Sequence, residues 1–434
     1  MLQVGAAAVD ITPALGCHVI GYFQDRIADD VHDPLFAKAL VVGNGQATLG
    51  LVVCDLIALP DAVAQAAKAL VQERLGIPPE RVLISATHTH TGPAIVPALG
   101  TPVEEGYAEW VAPRIADALA IAHRRRQPAR AAHARGDCAG EVHNRRRRMK
   151  DGSVRMNPGH QHPDVLGPAG PTDPELGLLL LRTPERRPLG ALANLSLHYV
   201  GAGVGTAISA DYFAAFGQAL QRCAGEPFLA IMANGCQGDI NNIDFDQPRR
   251  TSPHPYFQIE RVANVVAGEA WQAWNRLREE DFRDDLPLGG RLEKVPFHAR
   301  TPSPAELRAA RERYAGEPDP RDQEWAYARE LVLMESEPAV WDVPIQALRV
   351  GDLGIVGLPG EVFAQIGLEI KARSPFPQTM VIGLANDCAG YIATDQALDE
   401  GSYETRLCRH VRAPKGTGRL WADTAVRLLE AVRG

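Results

Sequence analysis

Two histidines two residues apart, His88 and His90, follow the apolar run 81–87 (RVLISAT) in a chain of 434 residues. On extended backbone, residues two apart project to the same side, so both imidazoles would stand together. Side-by-side imidazoles are costly if both charge, and natural beside a cation that keeps them neutral. Two histidines, one carboxylate and an open position make a catalytic zinc site, where bound water falls to a pKa of ~7. The competing reading is a hydrogen-bonded pair of strand-end histidines.

Other apolar runs end in the same manner. Residues 189–197 lead into His198, and 353–358 into Pro359-Gly360-Glu361. Residues 379–385 lead into Asn386-Asp387, with Tyr391 shortly after, and 227–233 open into NGCQGD, ending at Asp239. In layered α/β sheets, loops at the carboxyl edge converge on one crevice, where ligands and catalytic groups gather. That logic selects His88, His198 and Glu361. Each also has a structural reading: Glu361 can cap a helix beginning at Val362, and His198 can be a satisfied core histidine.

The elements that must carry these residues read as strands and helices in alternation. Residues 37–57 hold two β runs joined at Gly43-Asn44-Gly45, a hairpin signal. Asp61 is placed to cap a helix over DAVAQAAKALVQERL, which stops at Gly76 and Pro78. The run 81–87 follows, giving a strand–helix–strand unit. Further apolar, strand-sized runs lie at 176–181, 189–198, 227–233, 353–358 and 379–385, with helices expected at 211–224, 260–277, 304–314 and 321–334. Continuous apolar strands imply sheets covered on both faces. The Pro/Gly-rich tract 157–174 reads as a loop. With no internal repeat and no linker-like composition, the expectation is one α/β domain over 1–434, of layered mixed β-sheets with flanking helices.

Composition narrows the partners. With 45 basic and 53 acidic residues the net charge is −8, leaving no basic excess to neutralise phosphates, so no nucleic acid is expected. No apolar run approaches the ~20 residues of a membrane helix, and the start lacks a secretory pattern. Seven scattered cysteines without a CxxC pair suit reduced thiols and a cytoplasmic location. A small-molecule substrate is expected and no membrane partner; the oligomeric state is not encoded legibly.

At SATHTHTGP (85–93) the chain resembles the neutral/alkaline, non-lysosomal ceramidases. The resemblance continues in order through AAAVDITP (6–13) with Gly21-Tyr22, HNR (143–145), DPEL (173–176), SLH (196–198), SADY (209–212), LPGE (358–361) and Tyr391 with Tyr403-Glu404. It implies a ceramidase-like catalytic domain with zinc (Zn2+) held by His88, His198, Glu361 and Tyr391. It also implies His90 as a proton-transfer group, and Arg145 and Tyr403 as contacts to substrate or to a developing oxyanion. A tyrosine ligand must share its phenolic proton, which needs a cation to draw its pKa down from ~10.

Two departures stand out. Where the family has a serine in Gly-Asp-x-Ser-Pro-Asn, this chain has Asn241 in Gly238-Asp239-Ile240-Asn241-Asn242. An amide cannot form an acyl-enzyme, though it can donate to an oxyanion. The family's carboxyl-terminal immunoglobulin-like domain and secretion signal also have no counterpart in these residues, which argues against ceramide itself. The expected function is therefore a zinc-dependent amidase using metal-activated water on a small N-acyl or other amide. In that scheme His90 shuttles the proton, Asn241 and Tyr403 stabilise the oxyanion, and Arg145 clamps an anionic substrate group. An esterase, lactonase or glycoside hydrolase on the same scaffold is the alternative, and a non-catalytic metal- or ligand-binding module the second.

Overall fold

Most of the long strands in this chain are buried along most of their length, so the architecture follows from how such strands are covered. The structure, a computed structural model, describes residues 1–203, 205–316 and 322–434. Its long strands are β1 (Leu2–Asp10), β2 (Phe36–Gly43), β3 (Thr48–Cys54), β4 (Val82–Ala86), β5 (Gln127–Asp137), β6 (Glu175–Arg182), β7 (Pro188–Leu195), β8 (Leu229–Asn234), β9 (Leu288–His298), β10 (Val340–Val350), β11 (Leu353–Gly357) and β12 (Gln378–Ile382). They form an eight-stranded sheet, β8-β7-β6-β5-β1-β2-β3-β4, and a four-stranded sheet, β9-β10-β11-β12.

One plan occurs three times. Strands β1, β2 and β3 run antiparallel; helix Asp61–Leu75 then crosses over to β4, parallel to β3, and helix Tyr107–Arg124 follows. Strands β5, β6 and β7, helix Asp211–Ala224, parallel β8 and helix Phe257–Arg276 repeat it. Strands β9, β10 and β11, helix Ala364–Arg373, parallel β12 and helix Thr417–Arg433 repeat it again. The β1–β5 pairing fuses the first two repeats into the large sheet. The repetition lives in topology and leaves no trace as a sequence repeat.

The sheets face each other across a core drawn from all three repeats, including Leu51 and Leu83, Leu179 and Ile231, and Ile355 and Met380. Three further apolar clusters lie between the sheets and the outer helices. Helices therefore cover the outside of two stacked mixed sheets, the α/β layering expected. This explains the unbroken apolar strands, since both faces of each are covered.

Local signals were realised with small shifts. The hairpin closes through Asn44, whose side chain accepts from Gln46 and Ala47 N–H, with Gly45 at φ 87°. Asp61 does not cap its helix: Pro60 precedes the first turn, and the Asp61 carboxylate takes Gln65 Nε2 instead. The expected helix 321–334 spans Gln323–Leu333, and Arg321 lies outside the described residues. The loop expected at 157–174 contains a short strand, Val165–Pro168. No described helix is long and apolar enough to cross a membrane.

Candidate metal centre

The carboxyl ends of β4, β7 and β11 meet at one point, each from a different repeat. Strand β4 stops at Ala86, and the Thr87 N–H pairs with Cys54 O. His88 then turns left-handed, at φ 77°, with its own N–H on Leu56 O. A residue with a side chain gives up about 1–2 kcal/mol in that conformation, strain that concentrates at functional sites. The extended-backbone argument for His88 and His90 is thus corrected. The two rings converge because the chain has left the sheet at Ala86 and turns at His88, not because a strand continues.

Each ring is oriented from behind by a main-chain carbonyl. His88 Nδ1 lies 2.7 Å from Ile57 O, His90 Nδ1 2.8 Å from Gly21 O, and His198 Nδ1 3.3 Å from Gln237 O. A carbonyl only accepts, so Nδ1 holds the proton and each neutral ring keeps a bare lone pair on Nε2. Those lone pairs face one another: His88 Nε2 is 3.1 Å from His198 Nε2 and 3.1 Å from His90 Nε2. Burial, and then the positive groups around them, push the pKa of His90 and His198 well below 6.5, so added protons do not resolve the clash.

Glu361 completes the set. Its Oε2 sits 3.2 Å from His88 Nε2 and is buried with no hydrogen-bond donor among the described residues. Burial would raise this carboxyl, but His88, Tyr391 and Arg145 together hold it below the usual range. Three imidazole Nε2 atoms and one carboxylate oxygen meet here, a donor set that suits a divalent cation. His88, His90 and His198, whose ligand atoms all lie within 4.8 Å of one another, can hold a metal ion.

Glu361 is no helix cap. The next helix begins at Ala364, and the Ala364 N–H is taken by the Asp239 carboxylate at 2.9 Å. Instead, Glu361–Val362 pairs in parallel with Tyr391–Ile392, setting Glu361 opposite Tyr391. Burial drives the Tyr391 phenol well above 10, so it keeps its proton unless a cation takes its place.

Arg145 lies under this group, in a run that composition alone would leave in solvent. Arg145, Arg146 and Arg147 are instead buried. Arg145 Nε donates to Glu404 Oε1 (2.8 Å), and one terminal nitrogen donates to Gly238 O (2.9 Å) and Tyr391 Oη (3.0 Å). Its other terminal nitrogen is 3.4 Å from His198 Nε2. Burial works against the guanidinium charge, but Tyr391 and Glu404 outweigh it and hold the pKa above the ordinary value. With its fork spent on internal acceptors, Arg145 braces Tyr391 and His198.

His90 is half-buried, the least enclosed of the three histidines. Tyr199 stacks on its ring at 3.7 Å and 15°, and Tyr22 meets it edge-on. Tyr403 approaches Tyr391 edge-on at 5.9 Å and lines a cleft of about 620 Å³ with Phe23, Met156, Tyr327, Leu398 and Arg406. Asn241 pairs with His143 in a two-residue ladder, donates to Asn157 Oδ1 (2.8 Å) and accepts from the Ile243 N–H. None of its hydrogen bonds among the described residues reaches the histidines, Arg145 or Tyr403.

Two residues that hold the site together were not singled out by chemistry in the sequence. Glu404 is fully buried and accepts from both Arg145 and Arg146. Asp239 joins the Asn144 side chain to the helix at Ala364, with burial lifting its carboxyl to about 6. The signal for Glu404 was its place beside Tyr403, and that for Asp239 its place in the loop after an apolar strand.

No family model matches the sequence. No curated protein matches it. Among solved structures the chain is similar to the neutral ceramidase from Pseudomonas aeruginosa, with a TM-score of 0.74 at 19% identity, covering 100% of this chain and 74% of that one. It is equally similar to a ceramidase complexed with C2: TM-score 0.74, 18% identity, 100% of this chain and 75% of that one. At such identities the likeness speaks for architecture, and in architecture this chain has the fold of neutral ceramidase.

Proposed function

We propose that the chain is a metal-dependent hydrolase that cleaves an amide bond in a small acyl-amide substrate, with zinc held by His88, His198, Glu361 and Tyr391. The observation that carries this is the convergence of three imidazole Nε2 atoms and one carboxylate oxygen on one point. A zinc ion supplies a Lewis acid for the scissile carbonyl and lowers the pKa of water at neutral pH. The chain's residues do the rest. His90, neutral and on the open side, accepts a proton through Nε2 and returns it to the departing nitrogen. Tyr403 holds the carbonyl end from the cleft, and Arg145 keeps Tyr391 and His198 aimed. The likeness in fold to ceramidases supports the amide bond over others, because those proteins are named for cutting one.

Asn241 favours one secondary reading. With no hydroxyl at that position and its amide bound to Asn157, acyl transfer to the protein has no nucleophile there, and direct attack by water serves esters and lactones too. We read residues 1–434 as one catalytic domain, supported by the central core that all three repeats share. The seven cysteines, all free, support a cytoplasmic setting.

Elemental analysis of purified wild type beside His88→Ala tests the metal. About one zinc per chain, lost in the variant, is the expected result. No bound metal and no uptake of added zinc would end the reading. Wild type would then be assayed on N-acyl amides against matched esters, and a preference for esters moves the function to the secondary reading.

A further inference from the structure

The two loops that bring His88, His90 and His198 together follow β4 and β7, which come from different repeats and are not neighbours in the eight-stranded sheet. Something must fix their spacing. The segment Ser209–Asp211 lies between them and bonds to both. On one side, Thr89 and Thr91, the residues flanking His90, each donate a hydroxyl to Ser209 O, at 2.6 and 2.8 Å. The Ser209 N–H returns a bond to Thr91 O at 3.0 Å. On the other side, the Asp211 carboxylate accepts the Val200 N–H at 3.0 Å and the Gly201 N–H at 2.7 Å, just beyond His198-Tyr199. Ser209 is itself pinned: its hydroxyl donates to Asp33 Oδ2 at 2.5 Å and accepts from the Asp211 N–H at 3.0 Å.

Asp211 is an unusual residue for this place. It is buried, and its φ of 59° is one that side chains rarely adopt. A carboxylate at the first turn of a helix ordinarily serves that helix. This one does accept the Tyr212 N–H, at 2.6 Å, but its remaining capacity goes to residues ten and eleven positions earlier. A left-handed aspartate is held where a relaxed one would not reach them. The loop it fixes carries Tyr199, whose ring lies flat on His90.

We propose that Asp211 is a positioning residue: it locks the loop 198–201 against the His88–Thr91 loop, and through Tyr199 it sets the plane of the His90 ring. The inference rests on the metal-hydrolase reading for its purpose, but the lock itself is a property of the fold. Removing one carboxylate oxygen puts a donor where the Gly201 N–H needs an acceptor, and outer-shell partners of metal sites typically change affinity 10–100-fold.

The test compares wild type with Asp211→Asn by amide hydrogen exchange and by zinc affinity in competition with a chelator. Expected in the variant are at least tenfold faster exchange at Val200 and Gly201, unchanged exchange in helix Asp211–Ala224 beyond its first turn, and zinc affinity lowered by tenfold or more. Should Asp211→Asn fail to fold, Asp211→Gly, which tolerates the positive φ, gives the same measurement. Unchanged exchange at 200–201, or loosening confined to the helix, overturns the proposal whatever the metal does. If wild type takes up no zinc while the variant's loop still loosens, the lock stands and the hydrolase reading falls.

Discussion

Arg145 and Lys68 are both buried cations, yet the chain treats them in opposite ways. Arg145 is matched on every side, by Glu404, Gly238 O, Tyr391 and the edge of His198. Lys68, on helix Asp61–Leu75, is fully buried and its Nζ has no hydrogen-bond partner among the described residues. Burial lowers the Lys68 pKa to about 7, so much of its charge is given up, whereas Arg145 keeps its own. A buried charge becomes a structural instrument only where acceptors are supplied with it. Otherwise it titrates toward its neutral form.

The sharpest way to break the contrast is to make Arg145 resemble Lys68. Glu404→Ala removes the one carboxylate shared by Arg145 and Arg146, and breaking a buried pair in this way costs about 3–5 kcal/mol. Urea unfolding measures it, and Glu404→Gln, which keeps the shape and an acceptor, should lose less. A loss below about 1 kcal/mol would mean that the neutral acceptors alone sustain Arg145.

A smaller effect comes from removing the unmatched charge. The Lys68 pKa is lowered on folding, so between pH 7 and its unfolded value the unfolded chain binds more protons. Stability therefore rises with pH over that window. Wild type should gain up to about 2–3 kcal/mol from Lys68 between pH 7 and 9, a gain missing from Lys68→Met. The difference between the two curves isolates Lys68, because other groups titrate alike in both. Parallel curves would show that Lys68 finds a partner in solution.

The smallest effect is expected where the Arg145 network ends. Asn241 lies two residues past Asp239, whose carbonyl accepts the Arg145 N–H, but its own amide serves Asn157. Asn241→Ala should change kcat/KM by less than tenfold, under about 1.4 kcal/mol, on whichever amide wild type turns over best. A loss of 10² or more would place Asn241 at the oxyanion.

What the sequence conveyed depended on the kind of order involved. His88, His198 and Glu361 were legible because strand ends are local events: an apolar run, a break and a polar residue. Helices Asp211–Ala224 and Pro304–Tyr314 were legible to the residue for the same reason. Strand β9 was not, since LGGRLEKVPFH is an edge strand with polar residues on its open side. Helix Tyr107–Arg124 hid behind Pro113, which sits in its second turn. Burial of Arg145–Arg147 was illegible because charge runs ordinarily face water. It takes Glu404, more than 250 residues away, to pull two of them inward. The threefold plan left no pattern to read, because topology constrains connection and pairing more tightly than it constrains side chains.

That plan also decides where the chain tolerates change. Each repeat completes its own hydrogen-bonded ladder before handing one or two side chains to the centre. Lengthening the loop after β4, β7 or β11 would therefore redraw one side of the metal centre and leave the other two strand ends in register. A frame of this kind can diversify its substrates by exchanging walls, much as a vice accepts new jaws without being recast.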